Sequence, residues 1–274
     1  MSLFRNFNIT RKLLWSLGRN IYTYARGDSP NDPSLNGEYW LIEQVLNLQH
    51  PAPVLLDVGA NKGNWTAKSL ELSRGLNGIH VHAFEPAQAT RAMLTARFGS
   101  NPAVTVNSCA LSDTEGQGTF YSKEDGGGTN SLSSISGLNV EPVTLTTIDQ
   151  FLQGTGAGNV AILKIDTEGF DLLVLKGAEQ ALRAGRIEVI QFEYNWRWLL
   201  NHSCLRDVFE MIADKPYRLG KLVGDRIEFY DLWHFELDRF FENNYVLVRK
   251  DSKIIHLGSR IEFDSSNVGC PTRR

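Results

Sequence analysis

The pattern of hydrophobic and polar residues predicts short buried strands that alternate with amphipathic helices. Continuous apolar runs indicate strands at Val54–Val58, Ile79–Phe84, Val104–Cys109, Val160–Ile165 and Ile187–Phe192. Helical spacing of apolar residues separates them over 62–74, 87–98 and 170–182. Alternation of this kind is typical of βαβ units, whose right-handed crossovers place helices on both faces of a parallel sheet. The predicted fold class is therefore α/β.

The regions outside this alternation differ from it in pattern. Turn-forming residues fill 27–36, and helical spacing follows over 38–48. In the last third of the chain, the pattern predicts a helix at 205–213 and strands at 217–223, 227–230 and 245–248. We expect these strands to be antiparallel additions to the sheet. We expect an N-terminal helical extension or cap over 1–50, the main domain over 51–250 and a tail over 251–274.

A segment rich in Gly and Ser, 116–141, interrupts the regular alternation. It predicts a short edge strand at 119–122 and then a long loop. Two interpretations stay open for the loop, an exposed insertion without a role or a lid over an active site. A short strand is expected at 143–145, and Thr147 is expected to cap the helix after it.

Composition narrows the classes of function. The chain has 274 residues, 42% of them hydrophobic, which is ordinary for a globular protein. Its net charge of -3 argues against a dedicated nucleic-acid binder. Cys109, Cys204 and Cys270 lie far apart without metal-ligand spacing, so we expect no disulfide framework, no metal site and a cytoplasmic location.

The N-terminal 26 residues are basic, and no acidic residue precedes Asp28. Their longest apolar run, Leu13-Leu14-Trp15, is too short for a signal peptide or a membrane span. Two hypotheses remain for this segment. In one, it is a helical cap that packs on the domain with its basic side chains in water. In the other, it is an amphipathic helix that rests on a membrane surface.

The first strand ends in a glycine-rich turn, with Asp57 in the strand and Gly59, Asn61 and Gly63 after it. Turns at the carboxyl ends of parallel strands are where open α/β sheets bind ligands. The turn reads G-A-N-K-G and lacks the second glycine of the dinucleotide fingerprint G-x-G-x-x-G. A carboxylate beside it suits a cationic, amino-acid-like ligand such as S-adenosylmethionine better than a phosphate.

Glu85 ends the second strand, 28 residues after Asp57. A carboxylate at this place can accept both hydroxyls of a ribose. The alternative is that Glu85 caps a helix or is a surface charge.

The fourth strand ends in the polar block Lys164-Ile-Asp-Thr-Glu. A lysine in a buried strand needs a partner, and strand alternation places Asp166 on its face. Asp166 and Glu168 are our first candidates for a general base, and Glu193 is the third. His202 and His234 are weaker candidates. The alternatives are a helix start, which acidic residues stabilise, and a divalent-cation site.

Past the fifth strand, Trp196 and Trp198 belong to an aromatic cluster. They are expected either to stack on a ligand or to pack under the next helix.

Taken in order, the segments LLDVGANKG, AFEP, NSCALSD, VTLTTIDQFL and LKIDTEGFDLLVLKGAEQAL resemble the FkbM family of class I S-adenosylmethionine-dependent methyltransferases. The resemblance runs from about Val54 to Asn195. It implies a Rossmann-like sheet with the strand order 3-2-1-4-5-7-6. It also implies S-adenosylmethionine as cofactor, with Glu85 at the ribose and Phe84 beside it. The other implied cofactor contacts are Asp57, Gly59, Asn61, Gly63, Ala110 and Leu111, the last two at the adenine.

The sequence therefore predicts an O-methyltransferase that acts on a hydroxyl of a sugar, a glycolipid or a polyketide-type product. The acceptor is expected to be a small molecule or a glycan and not a nucleic acid. Two alternatives stay open, an NAD-dependent oxidoreductase on a similar sheet and a non-catalytic scaffold that kept the cofactor fold.

Overall fold

A ten-stranded sheet forms the centre of the computed structural model, which describes residues 9–122 and 139–272. Its strand order is β13-β12-β10-β9-β11-β8-β7-β1-β2-β3. These strands are β1 (Val54–Val58), β2 (His80–Phe84), β3 (Val104–Asn107), β7 (Val160–Ile165), β8 (Ile187–Tyr194), β9 (Tyr217–Val223), β10 (Arg226–Tyr230), β11 (Asn243–Arg249), β12 (Gly258–Phe263) and β13 (Gly269–Pro271).

The five strands predicted from continuous apolar runs form the parallel half of this sheet. β1 lies at its centre and pairs in parallel with β2 and with β7. Every residue of β7 is buried, as the uninterrupted apolar pattern requires. Parallel pairing brings the carboxyl ends of β1, β2 and β7 to one edge of the sheet, which positions the polar residues that follow them.

The C-terminal strands extend the sheet in the predicted antiparallel manner. β11 lies between β8 and β9 and is antiparallel to both. Counted from the β3 edge, the first seven strands are β3-β2-β1-β7-β8-β11-β9. If these seven strands are numbered in chain order, this is the order 3-2-1-4-5-7-6 that the family resemblance implies. The predicted fold class is confirmed. The tail from 251 carries two further strands, β12 beside β10 and β13 beside β12.

A small second sheet contains β4 (Ala110–Leu111), β6 (Asn139–Thr146) and β5 (Gly116–Ser122) in that order. The strand predicted over 104–109 therefore ends at Asn107, because Ala110 and Leu111 leave the main sheet to pair with β6. The predicted edge strand is present as β5. Most of the predicted loop, 123–138, lies outside the described residues. The lid hypothesis concerns these residues and is therefore not tested by the structure.

Helices cover both faces of the main sheet. α2, α3 and α4 share a core with one face, and α5 to α8 share a core with the other. The helices are α1 (Ile9–Ala25), α2 (Glu38–Leu46), α3 (Asn64–Leu72), α4 (Gln88–Phe98), α5 (Ile148–Thr155), α6 (Asp171–Lys176), α7 (Glu179–Arg183) and α8 (Leu205–Ile212). Short 3-10 helices occur at Trp196–Asn201, Phe235–Leu237 and Lys253–Leu257.

The single helix predicted over 170–182 is divided into α6 and α7 at Gly177. A Cβ atom at Gly177 would lie 2.0 Å from the Ser112 carbonyl oxygen, so this position packs directly on neighbouring backbone. The Asp149 carboxylate accepts hydrogen bonds from the N–H groups of Gln180 and Ala181 in the first turn of α7.

α1 differs from the other helices because none of its residues is buried. The hypothesis of a cap that packs its apolar side on the domain is therefore not what the structure shows. Among the described helices, none combines the length and the apolar character that crossing a membrane demands.

Candidate active site

A cavity of about 440 Å³ opens at the carboxyl ends of β1, β2 and β7. Its volume is in the range of small-molecule sites, and its place is where open α/β sheets bind ligands. Most of the residues predicted to form the site lie in its wall, namely Gly59, Asn61, Phe84, Glu85, Ala110, Leu111, Asp166 and Glu168. The structure thus brings together residues that are distant in the sequence, while their individual roles remain predictions.

Gly59 allows the two halves of the cavity to meet. Its φ of 79° lies in the left-handed region, which glycine adopts without strain. A Cβ atom here would lie 1.9 Å from the carbonyl oxygen of Asp166. The turn after β1 therefore contacts the end of β7 directly, and only glycine fits at the contact.

Two predicted cofactor residues lie behind the wall. Asp57 is fully buried, and its Oδ2 accepts a 2.6 Å hydrogen bond from the Thr66 hydroxyl. Gly63 faces α4, where a Cβ atom would lie 2.5 Å from the Phe98 ring. The structure therefore places Asp57 under the turn and Gly63 in helix packing, outside the cavity lining.

Glu85 is held by the backbone on both sides. Its Oε2 accepts from the N–H of Asn61 at 2.9 Å, and its Oε1 accepts from the N–H of Ala87 at 3.0 Å. Each carboxylate oxygen has a second lone pair, so a ligand diol can still donate to it. Burial raises the pKa of Glu85 to about 7 despite these hydrogen bonds.

Apolar side chains surround the part of the cavity next to Glu85. Phe84, Ala110 and Leu111 are buried there, and Cys109 and Phe120 complete that side. The Phe151 ring of α5 packs edge-on against Phe84, with 4.8 Å between ring centroids. This arrangement forms a slot suited to a flat, apolar ring.

A buried lysine lies among three carboxylates at the other end of the cavity. Lys164 Nζ donates to Asp166 Oδ2 at 3.1 Å and lies 4.0 Å from Asp57 Oδ1. Burial alone lowers the pKa of Lys164, but the attraction of Asp166, Glu38 and Asp57 outweighs it and raises that pKa above its usual range. Lys164 is therefore a fixed positive charge that neutralises part of the acidic cluster.

Glu38, the first residue of α2, belongs to this cluster. Its Oε2 accepts from Gln191 Nε2 at 2.8 Å. Burial raises the pKa of Glu38 and also that of Asp57, because the attraction of Lys164 does not fully offset the loss of solvation at these two buried carboxylates.

The turn after β7 holds Glu168 in a strained conformation. Its φ of 55° is uncommon for a residue with a side chain, and such strain concentrates at functional sites. The Glu168 carboxylate pairs with Arg197 at 3.0 Å. Burial and the negative charge of Asp166 raise the pKa of Glu168 to about 7, against the opposing attraction of Arg197.

Asp171 organises this turn from inside. Its Oδ2 accepts from the Thr167 hydroxyl at 3.1 Å and the Gly169 N–H at 3.3 Å. Its Oδ1 accepts from the N–H of Glu193 at 3.3 Å, which ties the turn to β8. Burial raises the pKa of Asp171 to about 8.

The third base candidate, Glu193, is not in the cavity wall. Its Oε2 accepts from Asn195 Nδ2 at 2.6 Å. Burial, followed by the charge of Asp166, raises the pKa of Glu193 well above its usual value. Glu193 thus lies behind Asp166 as part of the same acidic region.

The aromatic and histidine candidates also lie away from the cavity lining. Trp198 is buried and donates from Nε1 to the Glu193 carbonyl, as its packing interpretation predicts. Trp196 is exposed, with the Arg197 guanidinium over its ring. His202 ends a 3-10 helix, and His234 stacks on Phe263.

Several wall residues were not predicted as site residues. Glu38 and Tyr39 come from α2, and Asn31 and Pro33 come from the turn-rich segment before it. An acidic residue at the start of an otherwise apolar helix is a usable signal for Glu38. The loop residues carry no signal of their own, since their position depends on the path of the folded chain.

Within 9–122 and 139–272, no group of three or more His, Cys, Asp or Glu side chains could hold a metal ion. Cys109, Cys204 and Cys270 are free thiols.

An open sheet of this order with a cavity at its carboxyl edge has the architecture of the Rossmann-like class I methyltransferases. The profile described as "Methyltransferase FkbM domain" matches residues 57–219, more than half of the chain. The chain therefore belongs to the FkbM methyltransferase family, as its motifs suggest. It is an S-adenosylmethionine-dependent methyltransferase. This family assignment decides against the two alternatives, an oxidoreductase and a non-catalytic scaffold.

No curated protein matches the chain. Solved structures that match include the methyltransferase FkbM from Methylobacillus flagellatus KT, with 17% identity, a TM-score of 0.44 and coverage of 85% of this chain and 60% of that one. This chain thus spans 60% of that protein's length.

Two other matching structures contain S-adenosylhomocysteine. The O-methyltransferase from Bacillus cereus has 13% identity and a TM-score of 0.42, with 87% of this chain and 90% of that one covered. TrmK of M. capricolum has 10% identity and a TM-score of 0.40, with 77% and 68% covered.

The cavity fits the chemistry of S-adenosylmethionine. Asn61 Oδ1 is buried in the wall and accepts no hydrogen bond within the described parts of the chain, so it can accept one from a ligand. Glu85 offers free lone pairs for a diol, and the slot beside it is apolar. A cationic amino-acid end is compatible with the acidic cluster at the opposite end.

Proposed function

We propose that this protein transfers the methyl group of S-adenosylmethionine to a hydroxyl of a sugar, a glycolipid or a polyketide-type natural product. The observation that carries the proposal is the position of Glu168. Its carboxyl lies in the wall of the cofactor cavity and has a pKa of about 7. A base with that pKa is half ionised near neutral pH, where general bases are most effective.

The half of the cavity around Glu85 is proposed to hold the adenosine. Glu85 would accept from the ribose hydroxyls, while Phe84, Ala110 and Leu111 would contact the adenine. Asn61, Gly59 and Asp57 would define the turn that bounds the methionine part, with Asp57 acting from beneath it and Gly63 setting the helix behind it. When bound, the cofactor supplies an electrophilic methyl group on a sulfonium.

Glu168 is proposed as the residue that accepts the acceptor's hydroxyl proton as the new oxygen–carbon bond forms. Arg197, 3.0 Å from Glu168, holds that carboxylate in place. Asp166 is bound by Lys164 and is suited to positioning the reactants, since its carboxylate already has a cationic partner. Glu193 lies outside the cavity wall, and burial raises its pKa and so disfavours its charged form.

A small-molecule or glycan acceptor is supported by the net charge of -3, which gives no general attraction to a polyanion. A cytoplasmic location remains the prediction from the cysteine pattern.

The test is a transfer assay with labelled S-adenosylmethionine against a panel of nucleotide sugars, glycolipids and polyketides. With an accepted substrate, Glu168→Gln should lower kcat by about a hundredfold or more, the usual contribution of a general base. Asp166→Asn should lower activity as well. Glu210→Gln removes an exposed carboxylate that pairs with Arg206 away from the cavity and should leave kcat unchanged. Wild-type turnover by Glu168→Gln at saturating acceptor would show that another group is the base.

A further inference from the structure

α1 exposes a large apolar surface. Its exposed large hydrophobic side chains include Leu13, Leu17 and Ile21, which are 66%, 58% and 61% exposed. Ile9, Leu14 and Trp15 are exposed to a similar extent. Exposed apolar patches of this kind mark surfaces that bind a partner or a membrane.

Most of the apolar side chains of α1 lie on one side of the helix, and Trp15 lies on the other. At 3.6 residues per turn, Ile9, Leu13, Leu17 and Ile21 follow one line along its length, and Leu14 lies beside that line. The cationic residues Arg11, Lys12 and Arg19 lie on the other side. The helix is therefore amphipathic, with its charge and its apolar surface on different sides.

The domain holds α1 by the polar side. The Tyr22 hydroxyl donates to Glu236 at 2.6 Å, and the Arg19 guanidinium lies over the Phe241 ring, 5.5 Å from its centroid. Tyr22 and Arg19 are both on the side of the helix away from the line that starts at Ile9. This attachment turns the apolar line away from the domain.

The chain just after α1 is fixed to the main sheet. Lys221 of β9 is buried, and its Nζ donates to the Asp28 carboxylate and, at 3.0 Å, to the Arg26 carbonyl. Asn243 Nδ2 also donates to Asp28, at 3.1 Å. The C-terminal end of α1 thus has a defined position on the domain. Leu232 and Phe235, exposed in the loop that leads to Glu236, lie close in sequence to this attachment point.

The charge of α1 favours one kind of occupant. No acidic residue occurs in α1, or anywhere before Asp28. A second copy of α1 would bring the same positive charges together, whereas an anionic lipid surface attracts them. The 17 residues of α1 span about 25 Å, and no described helix is apolar enough to cross a membrane. A helix of this length and pattern lies in the plane of a membrane surface.

We propose that α1 docks this methyltransferase on an anionic membrane surface, with its apolar line, defined by Ile9, Leu13, Leu17 and Ile21, inserted among the lipids. The net positive charge of α1 adds electrostatic attraction to the anionic headgroups, while Arg19 stays over the Phe241 ring of the domain. This proposal does not depend on which hydroxyl the enzyme methylates.

The test is co-sedimentation of the full chain with vesicles. Binding is expected to vesicles of equimolar phosphatidylcholine and phosphatidylglycerol, to be much weaker with phosphatidylcholine alone, and to weaken at high salt. Leu13→Gln/Leu17→Gln should reduce the vesicle–water partition coefficient of the protein by about tenfold or more, because two apolar side chains of the line are replaced by polar ones. Met93→Gln/Val268→Gln removes exposed apolar side chains elsewhere and should bind as the wild type does.

Binding of S-adenosylhomocysteine, measured by calorimetry, should be the same in all these variants and shows that they are folded. Two outcomes would overturn the proposal. One is a wild-type chain that does not bind anionic vesicles, or that binds them as well after Leu13→Gln/Leu17→Gln. The other is a dimer that those substitutions dissociate without any vesicle binding, which would assign the apolar line to a second copy of the chain.

Discussion

Gly59 connects the glycine-rich turn to the chemistry of the site. The backbone of this turn contacts the end of β7 at Gly59, because glycine has no side chain to separate them. The position of Asp166 and Glu168 relative to Glu85 therefore depends on this glycine. The glycine has a steric role at this point, in addition to its positive φ.

Gly59→Ala should abolish binding of S-adenosylhomocysteine, because the new methyl group would overlap the Asp166 carbonyl and separate β1 from β7. Gly75→Ala is the matched control, since Gly75 also has a positive φ but faces open space. It should cost about 1 kcal/mol of stability and leave binding intact. Calorimetry on both variants distinguishes steric overlap from backbone strain, and equal loss of binding in the two would contradict this explanation.

Glu168 should give kcat an acidic limb. Its pKa of about 7 means that the carboxyl is protonated, and cannot accept a proton, at lower pH. We therefore expect kcat to rise with pH through about 7 and then to level off. The profile should be recorded at saturating cofactor and acceptor, so that ionisation of Glu85 in the free enzyme does not contribute. A limb that persists unchanged in Glu168→Gln would mean that another group produces it.

Among single residues, the sequence predicts those site residues that lie at the ends of strands. Gly59, Glu85 and Asp166 were found because strand ends meet at one edge. Glu38 and Asp171 were missed as site residues because their partners, Gln191 and the N–H of Glu193, become neighbours only after folding.

Among the elements, apolar runs of the parallel strands were the most reliable signal. β1 and β7 have the predicted bounds because both are buried on two faces. The break between α6 and α7, and the departure of β4 from the main sheet, were not predicted. Both arise from contacts between distant segments, Gly177 on Ser112 and Ala110 on Leu145.

The start of α5 illustrates a local signal that did succeed. Thr147 caps this helix, and its hydroxyl accepts from the Gln150 N–H at 3.0 Å. Thr147→Ala should lower the free energy of unfolding by about 1 kcal/mol, since that N–H loses its partner. Thr147→Ser keeps the hydroxyl and should restore most of the stability. Urea unfolding measures both, and equal stability of the Ala and Ser variants would argue against the cap.

Across the whole molecule, the two ends of the chain contribute differently to the fold. The segment 251–274 is expected only as a tail, yet it buries Ile254 and Ile261 and extends the sheet by β12 and β13. α1 shows clear amphipathic spacing, yet none of its residues is buried. Periodicity alone could not distinguish these cases, because it reveals an apolar side without revealing what covers it.

Two truncations test this difference. Removal of 1–25 should change the melting temperature little, since no residue of α1 is buried. Removal of 251–274 should unfold or severely destabilise the protein, because each buried isoleucine contributes roughly 1.5–3 kcal/mol and the Ser252 hydroxyl donates to the buried Glu188. Thermal unfolding of both truncated chains is the measurement. Similar melting temperatures for the two would contradict the distinction.

The central claim is that the cavity between Glu85 and Glu168 binds the methyl donor. Calorimetry with S-adenosylhomocysteine tests it most directly, on the wild type, on Glu85→Gln and on the surface control Glu210→Gln. The predicted result is binding of one ligand per chain, weakened about tenfold or more by Glu85→Gln through the loss of a charged hydrogen-bond acceptor, and unchanged by Glu210→Gln. Absence of binding by the wild type, or equal affinity in Glu85→Gln, would contradict it.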